Sequence, residues 1–263
     1  MANIPQRIKD LMSSSSYLNM AHPDHDKTNK KVSEYFRETY PGIATFDETG
    51  KMNSKKTAPF VFEIPANKFL KEKNIQGYYH EEYTPYDASN PHPIHILKNK
   101  DNAWSQKQLE NAMNKISDIL IEDIPVVMQM ENVSNCVCIN VPRSKKLTSY
   151  SPNDLMFTQA IRQAISHIKG VADCTDAIRR TKDTRTTYLA NFYSPENKGD
   201  FPYPGITKAT CQIDVDKISG KTIILVDDVY AIGKNIDEDC IQALYDNGAA
   251  RVIFYSVANQ GKK

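Results

Sequence analysis

Hydrophobic and polar positions alternate in blocks along the second half of the chain, and the blocks predict helices and strands in turn. After Ser105 and Gln108, a pair typical of a helix start, apolar residues recur at helical spacing. These residues are Leu109, Met113, Ile116 and Leu120. Two compact apolar runs, residues 124–130 and 136–141, predict strands joined by a polar turn. A second helix is predicted from Ser151, which a proline and an acid follow. Its apolar face comprises Phe157, Ile161, Ala164, Ile165 and Ile168.

The clearest pattern lies between residues 221 and 259. An apolar run at residues 223–226 ends in Asp227 and Asp228, and a short turn that contains one glycine follows. A run of this length bounded by polar residues predicts a buried strand with two acids at its end.

A helix and a second strand complete this pattern. Asn235 and Glu238 predict a capping box at the helix start, and Asn247-Gly248 predicts the helix end. Residues 251–257 are apolar again and predict a strand. The order is that of a βαβ unit, so we expect an α/β fold with an open, mainly parallel sheet flanked by helices.

Acids at the carboxyl end of a strand, next to a helix start, lie where open α/β sheets bind ligands. Backbone N–H groups at a helix start bind phosphate, and two carboxylates can accept hydrogen bonds from vicinal hydroxyls. The pattern therefore fits a ribose 5-phosphate, although a purely structural unit with solvated acids stays open. A receiver domain is excluded because too few residues follow Asp228. A P-loop nucleotide site is excluded because no G-x-x-x-x-G-K-[ST] sequence occurs.

Two cationic segments offer sites for a further anionic group. Arg143, Ser144 and Lys145 follow the predicted strand 136–141 and could bind a diphosphate through charge-assisted hydrogen bonds. Residues 179–188 are polar, cationic and rich in threonine, which predicts either a mobile lid over the diphosphate or an ordinary solvated loop. The cations of the lid interpretation are Arg179, Arg180, Lys182 and Arg185.

The stretch 221–259 resembles the phosphoribosyl-diphosphate (PRPP) motif of type I phosphoribosyltransferases. The resemblance implies that Asp227 and Asp228 are the catalytic acids that hold the ribose hydroxyls, and that the following turn surrounds the 5-phosphate. The residues of that turn are Ala231, Ile232, Gly233, Lys234 and Asn235. Ala231, Ile232 and Asn235 stand where the family often has threonine. The loop of Arg143 resembles the family's pyrophosphate-binding loop.

The pattern is most similar to the ComF-type branch of that family. The V-P-R sequence at residues 141–143, a helix with Gln159, the segment after Arg179, and Asn191-Phe192 carry this similarity. It covers residues 120–259, and the branch's N-terminal zinc ribbon is absent because no C-x-x-C pair occurs.

The resemblance implies a glycosyltransferase of nucleotide metabolism. It would use Mg²⁺ and PRPP, transfer ribose 5-phosphate to a nitrogen acceptor base of unknown identity, and release diphosphate. The alternative is a non-catalytic protein of the same fold that senses PRPP or a nucleotide. The departures at Ala231, Ile232 and Asn235 favour the sensor, whereas the paired acids and the basic loops favour the enzyme.

Composition narrows the setting. Lys and Arg number 33 against 32 Asp and Glu, and the net charge of +1 indicates neither nucleic acid nor membrane as a partner. Five cysteines without a pairing framework, and no recognisable leader, predict a cytoplasmic protein. A homodimer is among the assemblies we consider.

The first hundred residues resemble no known family, and we expect a division into residues 1–100 and residues 101–263. The first part would be a hood or an accessory module, and the second the phosphoribosyltransferase-like domain. Residues 27–40 and 68–79 predict helices, and residues 59–65 predict a strand. Two H-x-x-H pairs, His22 with His25 and His92 with His95, are interpreted as surface histidines rather than metal ligands.

Overall fold

The computed structural model describes residues 58–71, 74–83, 86, 91–98, 104–186, 195, 197–199 and 209–261, with seven isolated positions before residue 32. His22, His25, residues 189–192 and nearly all of the predicted helix 27–40 lie outside the described residues. The chain divides into two compact units, one formed by residues 1–59 with 122–133 and one by residues 60–121 with 134–263. The sheet and the candidate site belong to the second unit.

A six-stranded sheet forms the centre of the second unit, in the order β1-β2-β8-β7-β3-β4. The strands are β1 Phe60–Ile64, β2 Ile75–Glu82, β3 Cys136–Asn140, β4 Val171–Asp173, β7 Thr222–Ala231 and β8 Arg251–Gln260. Among these described strands, β1 and β2 pair antiparallel and every other neighbouring pair is parallel. The predicted α/β class with a mainly parallel sheet is confirmed.

Four helices are described, and capping signals of the sequence are found before two of them, α2 and α3. They are α1 Pro93–Lys98, α2 Gln106–Met130, α3 Met156–His167 and α4 Ile236–Asp246. Before α2, the backbone N–H of Ser105 donates to Gln108 Oε1 at 3.0 Å, and that of Gln108 donates to Ser105 Oγ at 3.3 Å. Before α3, Ser151 and Asp154 make the same reciprocal pair around a short 3-10 turn. No helix in the described part of the chain combines the length and the apolar character that crossing a membrane requires.

The predicted strand at residues 124–130 is wrong, because α2 continues through it to Met130. Ile124 and Val127 follow Leu120 at helical spacing, and Pro125 lies inside the helix. An apolar run of seven residues does not by itself distinguish a strand from a buried helical segment.

The predicted helix at residues 68–79 is also wrong, whereas the strand predicted at residues 59–65 is confirmed as β1. Residues from Ile75 onward form β2, which lies between β1 and β8 in the sheet. Gly77 and the aromatic residues beside it suit a pleated surface covered by neighbouring strands more than a helix.

The strands β1 and β2 precede residue 100, yet they belong to the same sheet as the C-terminal strands. Ile64 and Ile75 are buried in one core with Ile223 and Leu225 of β7. The predicted boundary at residue 100 therefore does not coincide with an edge of this sheet.

A second, two-stranded antiparallel sheet consists of β5 Ile178–Arg180 and β6 Cys211–Ile213. Arg179 and Arg180 therefore lie in a strand, not in the loop that the polar composition predicted. The side chain of Arg180 is buried and its guanidinium donates to Thr210 Oγ1 at 3.1 Å.

Candidate functional site

Asp227 and Asp228 lie within β7 and not at its end. The strand continues through Val229, Tyr230 and Ala231, and its pairing with β8 extends to Gln260. These three residues are buried, so continuing the strand removes their side chains from water and stabilises the fold. The predicted strand end is thus three residues too early, and both acids lie where β7 still pairs with β8 but has passed its last paired residue with β3, Val226.

Asp228 is bound to a lysine from the first half of the chain. Lys98 Nζ, at the end of α1, lies 2.7 Å from Asp228 Oδ2. Asp228 Oδ1 accepts the backbone N–H of Val229 at 2.9 Å. Burial opposes the charged form of Asp228, but the ammonium group of Lys98 outweighs that effect and lowers the pKa of this carboxyl. Asp228 is therefore a fixed negative charge with a dedicated counter-ion.

The pKa of Asp227 is shifted in the opposite direction. Asp227 is 9% exposed, and its carboxyl interacts with that of Asp237 in the first turn of α4. Burial, together with the charge of Asp228, raises the pKa of Asp227 to about 8. The shift favours the protonated form of Asp227. The alternative of two solvated carboxylates does not hold, because Asp227 is 9% exposed and the side chain of Asp228 is 13% exposed.

The first turn of α4 carries three consecutive acids, all of them buried: Asp237, Glu238 and Asp239. Burial raises the pKa of Asp237 well above its usual value, and Asp227 adds to the effect. Burial also raises the pKa of Glu238, which accepts a hydrogen bond from Tyr230 Oη at 3.2 Å. Both shifts favour the uncharged forms of Asp237 and Glu238, and this lessens the repulsion between the start of α4 and an anion.

The turn at residues 231–235 contains two residues whose backbone lies in the left-handed region. Gly233 has φ 84° and Asn235 has φ 57°. The backbone N–H of Lys234 donates to Ala231 O at 3.1 Å, which closes the turn. The predicted capping box of Asn235 and Glu238 is wrong: Asn235 makes no side-chain cap and Glu238 turns to Tyr230. The helix end at Asn247-Gly248 is confirmed, because Ala249 N donates to Leu244 O at 3.0 Å across Gly248 at φ 88°.

Asn67, in the loop after β1, holds this turn from outside. Its Nδ2 donates to Asn235 Oδ1 at 3.3 Å, while its Oδ1 accepts the backbone N–H groups of Phe69 and Leu70. The Nδ2 of Asn235 donates to Gly233 O at 2.9 Å. The side chain of Ile232 is 51% exposed beside these bonds. The phosphate-binding turn of the prediction is therefore preformed by polar contacts.

The loop of Arg143, Ser144 and Lys145 follows β3, the strand that pairs with β7 in the sheet. Its cations are engaged by backbone carbonyls: Arg143 donates to Asp154 O, and Lys145 Nζ donates to Thr184 O at 2.7 Å and to Lys198 O. The guanidinium of Arg143 also stacks 4.5 Å from the ring centroid of Tyr150. An anion at this loop has to share these donors or displace the carbonyls.

The segment after β5 is fastened to the same loop. Thr184 donates from its backbone N–H and its hydroxyl to Ser144 O, at 2.7 and 2.9 Å. Asp183 Oδ1 accepts the backbone N–H of Lys146 at 2.8 Å, and Thr186 Oγ1 lies 2.9 Å from Ser144 Oγ. The structure thus brings the two predicted cationic segments together, and in it the second lies closed against the first.

The four cations of the lid interpretation occupy different surroundings. Arg179 is exposed and pairs with Asp176 at 2.6 Å, whereas Arg180 donates to Arg143 O at 3.0 Å. Lys182 is exposed and its backbone N–H donates to Thr210 O at 3.4 Å. Arg185 is half-buried. Of these cations, Arg180 contacts the loop directly through Arg143 O, and Arg185 lies between Thr184 and Thr186, which contact Ser144.

An aromatic stack lies beside α1. The ring of His95 is buried and is stacked at 5.5 Å on both Tyr83 and Tyr86. His92 lies 2.6 Å from Glu81 Oε1. The interpretation of His95 as a surface residue is wrong, since α1 turns it inward. Across the described residues, no group of three or more His, Cys, Asp or Glu could hold a metal ion.

Sequence reasoning missed three residues of this site: Lys98, Asp237 and Asn67. Lys98 and Asn67 lie more than a hundred residues from their partners and belong to no motif. Asp237 carried a sequence signal, because acids are common in the first turn of a helix and the glycine-containing turn marks where the helix begins. Nothing in the local pattern showed that it would face Asp227.

No protein-family model matches the chain, and no curated protein sequence matches it. The chain is similar to a solved structure described as the allosteric regulatory enzyme of purine biosynthesis, with a TM-score of 0.36 and 13% sequence identity. The match covers 80% of this chain and 38% of that one. The chain therefore spans well under half the length of that protein.

Proposed function

We propose that the chain binds PRPP, or a related ribose phosphate, at the carboxyl edge of β7 and β3. It then transfers ribose 5-phosphate to a nitrogen acceptor. The observation that carries the proposal is the arrangement along β7: an ionised Asp228, the preformed turn at Gly233 and the start of α4 follow one another. A cytoplasmic location and kinship with the ComF-type branch are part of the same proposal, supported by the sequence pattern alone.

Each group has a defined task in this proposal. Asp228 accepts a hydrogen bond from a ribose hydroxyl, and the backbone N–H groups of the turn and of α4 bind the 5-phosphate. The diphosphate lies against the loop of Arg143 and Lys145. The lone pair of the acceptor nitrogen forms a bond to C1 of the ribose while the C1–O bond breaks. Its electrons leave on the diphosphate, and the acceptor nitrogen loses its proton to solvent.

A protonated Asp227 changes what the resemblance implies. It acts as a hydrogen-bond donor and positions Asp228, because it is buried and joined to Asp237 and Asp228. One carboxylate, not two, then serves the ribose. We keep Mg²⁺ in the proposal as a companion of the diphosphate, with no step assigned to it.

A sensor without turnover is the second candidate, and one observation favours it. Arg143 and Lys145 already donate to the carbonyls of Asp154 and Thr184, so part of their donor capacity is used within the protein and not directed to a leaving diphosphate. In a sensor, ligand binding would exchange these bonds and release the segment at residues 183–186.

Calorimetry with PRPP and a diphosphate-release assay separate these readings. We expect Asp228→Asn to weaken PRPP binding at least about tenfold, since hydrogen bonds to charged groups contribute about 1.5–3 kcal/mol. Asp227→Asn should bind almost as wild type at neutral pH, because the replaced carboxyl is uncharged. Asp214→Asn is the matched control, since its partly exposed carboxylate lies 3.6 Å from Lys217 and away from the acids of β7.

The assay results assign the class. Diphosphate release with any base from a panel of nitrogen acceptors supports the transferase, and binding without release supports the sensor. Unchanged affinity in Asp228→Asn, or no binding of PRPP by the wild type, would reject the proposed site.

A further inference from the structure

The acids of β7 do not fit a magnesium site built from protein ligands. Mg²⁺ takes carboxylate oxygens in octahedral geometry and needs open positions for its remaining ligands. Each oxygen of Asp228 already has one partner, Lys98 for Oδ2 and the N–H of Val229 for Oδ1, and the positive charge of Lys98 repels a second cation at this carboxylate. Asp227 is buried against Asp237. In the part of the chain that the structure describes, these acids do not form a group able to hold a metal ion.

The ammonium group of Lys98 occupies the place where a cation would lie beside Asp228. Its Nζ is 2.7 Å from Asp228 Oδ2 and 5.0 Å from the ring centroid of Phe157. The lysine side chain is 25% exposed and that of Asp228 is 13% exposed, so the pair is largely shielded from water. Both the carboxylate and the aromatic face attract a cation, and together they fix the position of the ammonium group.

We propose that Lys98 is a built-in counter-ion that takes the place of a divalent cation beside Asp228, so that the site binds ribose phosphate without a metal ion bound to the protein. An ammonium group has three donors. One is directed to Asp228, and the others can meet the ribose oxygens. The part that concerns the ligand rests on the proposed function, whereas the part that concerns the metal does not.

The metal part is tested by thermal melting with Mg²⁺ alone. We expect the melting temperature of the wild type to be unchanged by millimolar Mg²⁺. In Lys98→Met the cation position is vacated, so Mg²⁺ should raise the melting temperature, and adding Asp228→Asn should cancel the rise. Lys98→Arg keeps the charge and should behave as wild type. Lys217→Met is the matched control, because Lys217 pairs with Asp176 at the same 2.7 Å distance elsewhere in the unit.

Two results would overturn the metal part. One is a rise with Mg²⁺ in the wild type that Asp228→Asn removes, which would show a metal beside Asp228. The other is no response in Lys98→Met, which would show that this position attracts no divalent cation. If Lys98→Met fails to fold, Lys98→Gln replaces it, with the same expected rise and the same contradicting results.

The ligand part uses ribose 5-phosphate as the probe in calorimetry, with Mg²⁺ or with a chelator. The wild type should bind equally in both. Lys98→Met should bind at least about tenfold more weakly in chelator, as expected for the loss of a charged donor, and regain affinity with Mg²⁺. Tighter binding by the wild type with Mg²⁺ than with chelator would overturn the ligand part. No binding in either buffer would reject the proposed function, while the melting data would still decide the metal part.

Discussion

Asp227 and Asp228 are neighbours in sequence, but their surroundings shift their pKa values in opposite directions. Lys98 reaches Asp228 from α1, and Asp237 reaches Asp227 from α4. Two carboxylates this close cannot both ionise cheaply when buried, so the counter-ion selects which one is charged. The sequence motif predicted the pair, and the contacts with α1 and α4 give each member a different environment.

The raised pKa of Asp227 predicts a pH dependence of stability. The group has a pKa of about 8 in the folded chain and 3.8 as its usual value. Between these values the unfolded state binds fewer protons, so this residue makes the free energy of unfolding fall as pH rises from about 4 to about 8. Asp227→Asn should flatten the fall, as measured by urea denaturation at several pH values. The groups that bear on it are Asp228, Lys98 and Asp237.

Asp176→Asn is the control for this pH prediction. Hydrogen bonds from Lys217 and Arg179 lower the pKa of Asp176 to about 2, so its stabilisation is present above the usual value of 3.8 and is lost as pH falls toward 2. The Asp176→Asn substitution should leave the slope of the free energy of unfolding between pH 5 and 8 unchanged. A wild-type stability that rises with pH, together with a slope unaltered in Asp227→Asn, would contradict the assignment of a buried neutral acid.

Asn235 supports a second prediction at the residue scale. Its φ of 57° lies in the left-handed region, which asparagine and glycine tolerate and β-branched residues do not. Asn235→Gly should keep the stability within about 0.5 kcal/mol, whereas Asn235→Thr should lower it by about 1–2 kcal/mol. Urea denaturation measures both, with Ile232→Thr at an exposed site as the control. An Asn235→Thr variant as stable as the wild type would contradict a left-handed backbone conformation at residue 235.

The elements β1, β2 and β7 meet in an aromatic cluster around Gly77. A Cβ at Gly77 would lie 2.5 Å from Phe62 Cε1. The ring of Phe62 in turn packs 4.8 Å from Tyr230, whose hydroxyl donates to Glu238. A glycine in β2 thus allows β1 to place an aromatic ring across it, and the ring supports the strand that carries the acids.

Gly77→Ala is therefore expected to destabilise the chain by about 1–3 kcal/mol, as overpacking of a filled site does. In a Phe62→Ala background the same substitution should cost much less, because the clashing ring is gone. A double-mutant cycle by chemical denaturation measures the coupling. Additive effects of the two substitutions would show that the ring does not lie over Gly77.

At the scale of the second unit, the sheet draws strands from both halves of the sequence. β2 covers β8, which would otherwise be an edge strand with unpaired N–H and C=O groups. Ile64, Leu70 and Ile75, all before residue 100, are 0–5% exposed in the core. Lys98, which also precedes the predicted boundary, completes the acid site.

A fragment of residues 101–263 therefore tests the role of the earlier strands. We expect it to lack the cooperative melting of the full chain and to bind a dye specific for exposed apolar surface, because β8 and the core lose their cover. Circular dichroism and dye fluorescence provide the measurements. Cooperative melting within a few degrees of the full chain would show that residues 60–98 are dispensable for the fold.

Local signals determined much of this protein. The alternation after residue 102, the capping pairs at Ser105 and Ser151, and the stop at Gly248 were sufficient for α2, α3 and α4 to be anticipated and for the α/β class to follow. These local signals depend on hydrogen bonds and on the spacing of apolar residues within a few positions of the chain, so they can be recognised in the sequence itself. The paired acids of β7 and the glycine-containing turn that follows them were visible for the same reason.

Tertiary structure decided what depends on distant partners. Whether residues 124–130 form helix or strand follows from the surfaces that cover them, since a short apolar run suits either, and residues 75–82 form a strand because β1 and β8 pair with them. The charge states of Asp227 and Asp228 follow from burial and from Lys98, more than a hundred residues away. Burial and long-range electrostatics depend on three-dimensional distance, and the order of residues along a chain does not encode that distance locally.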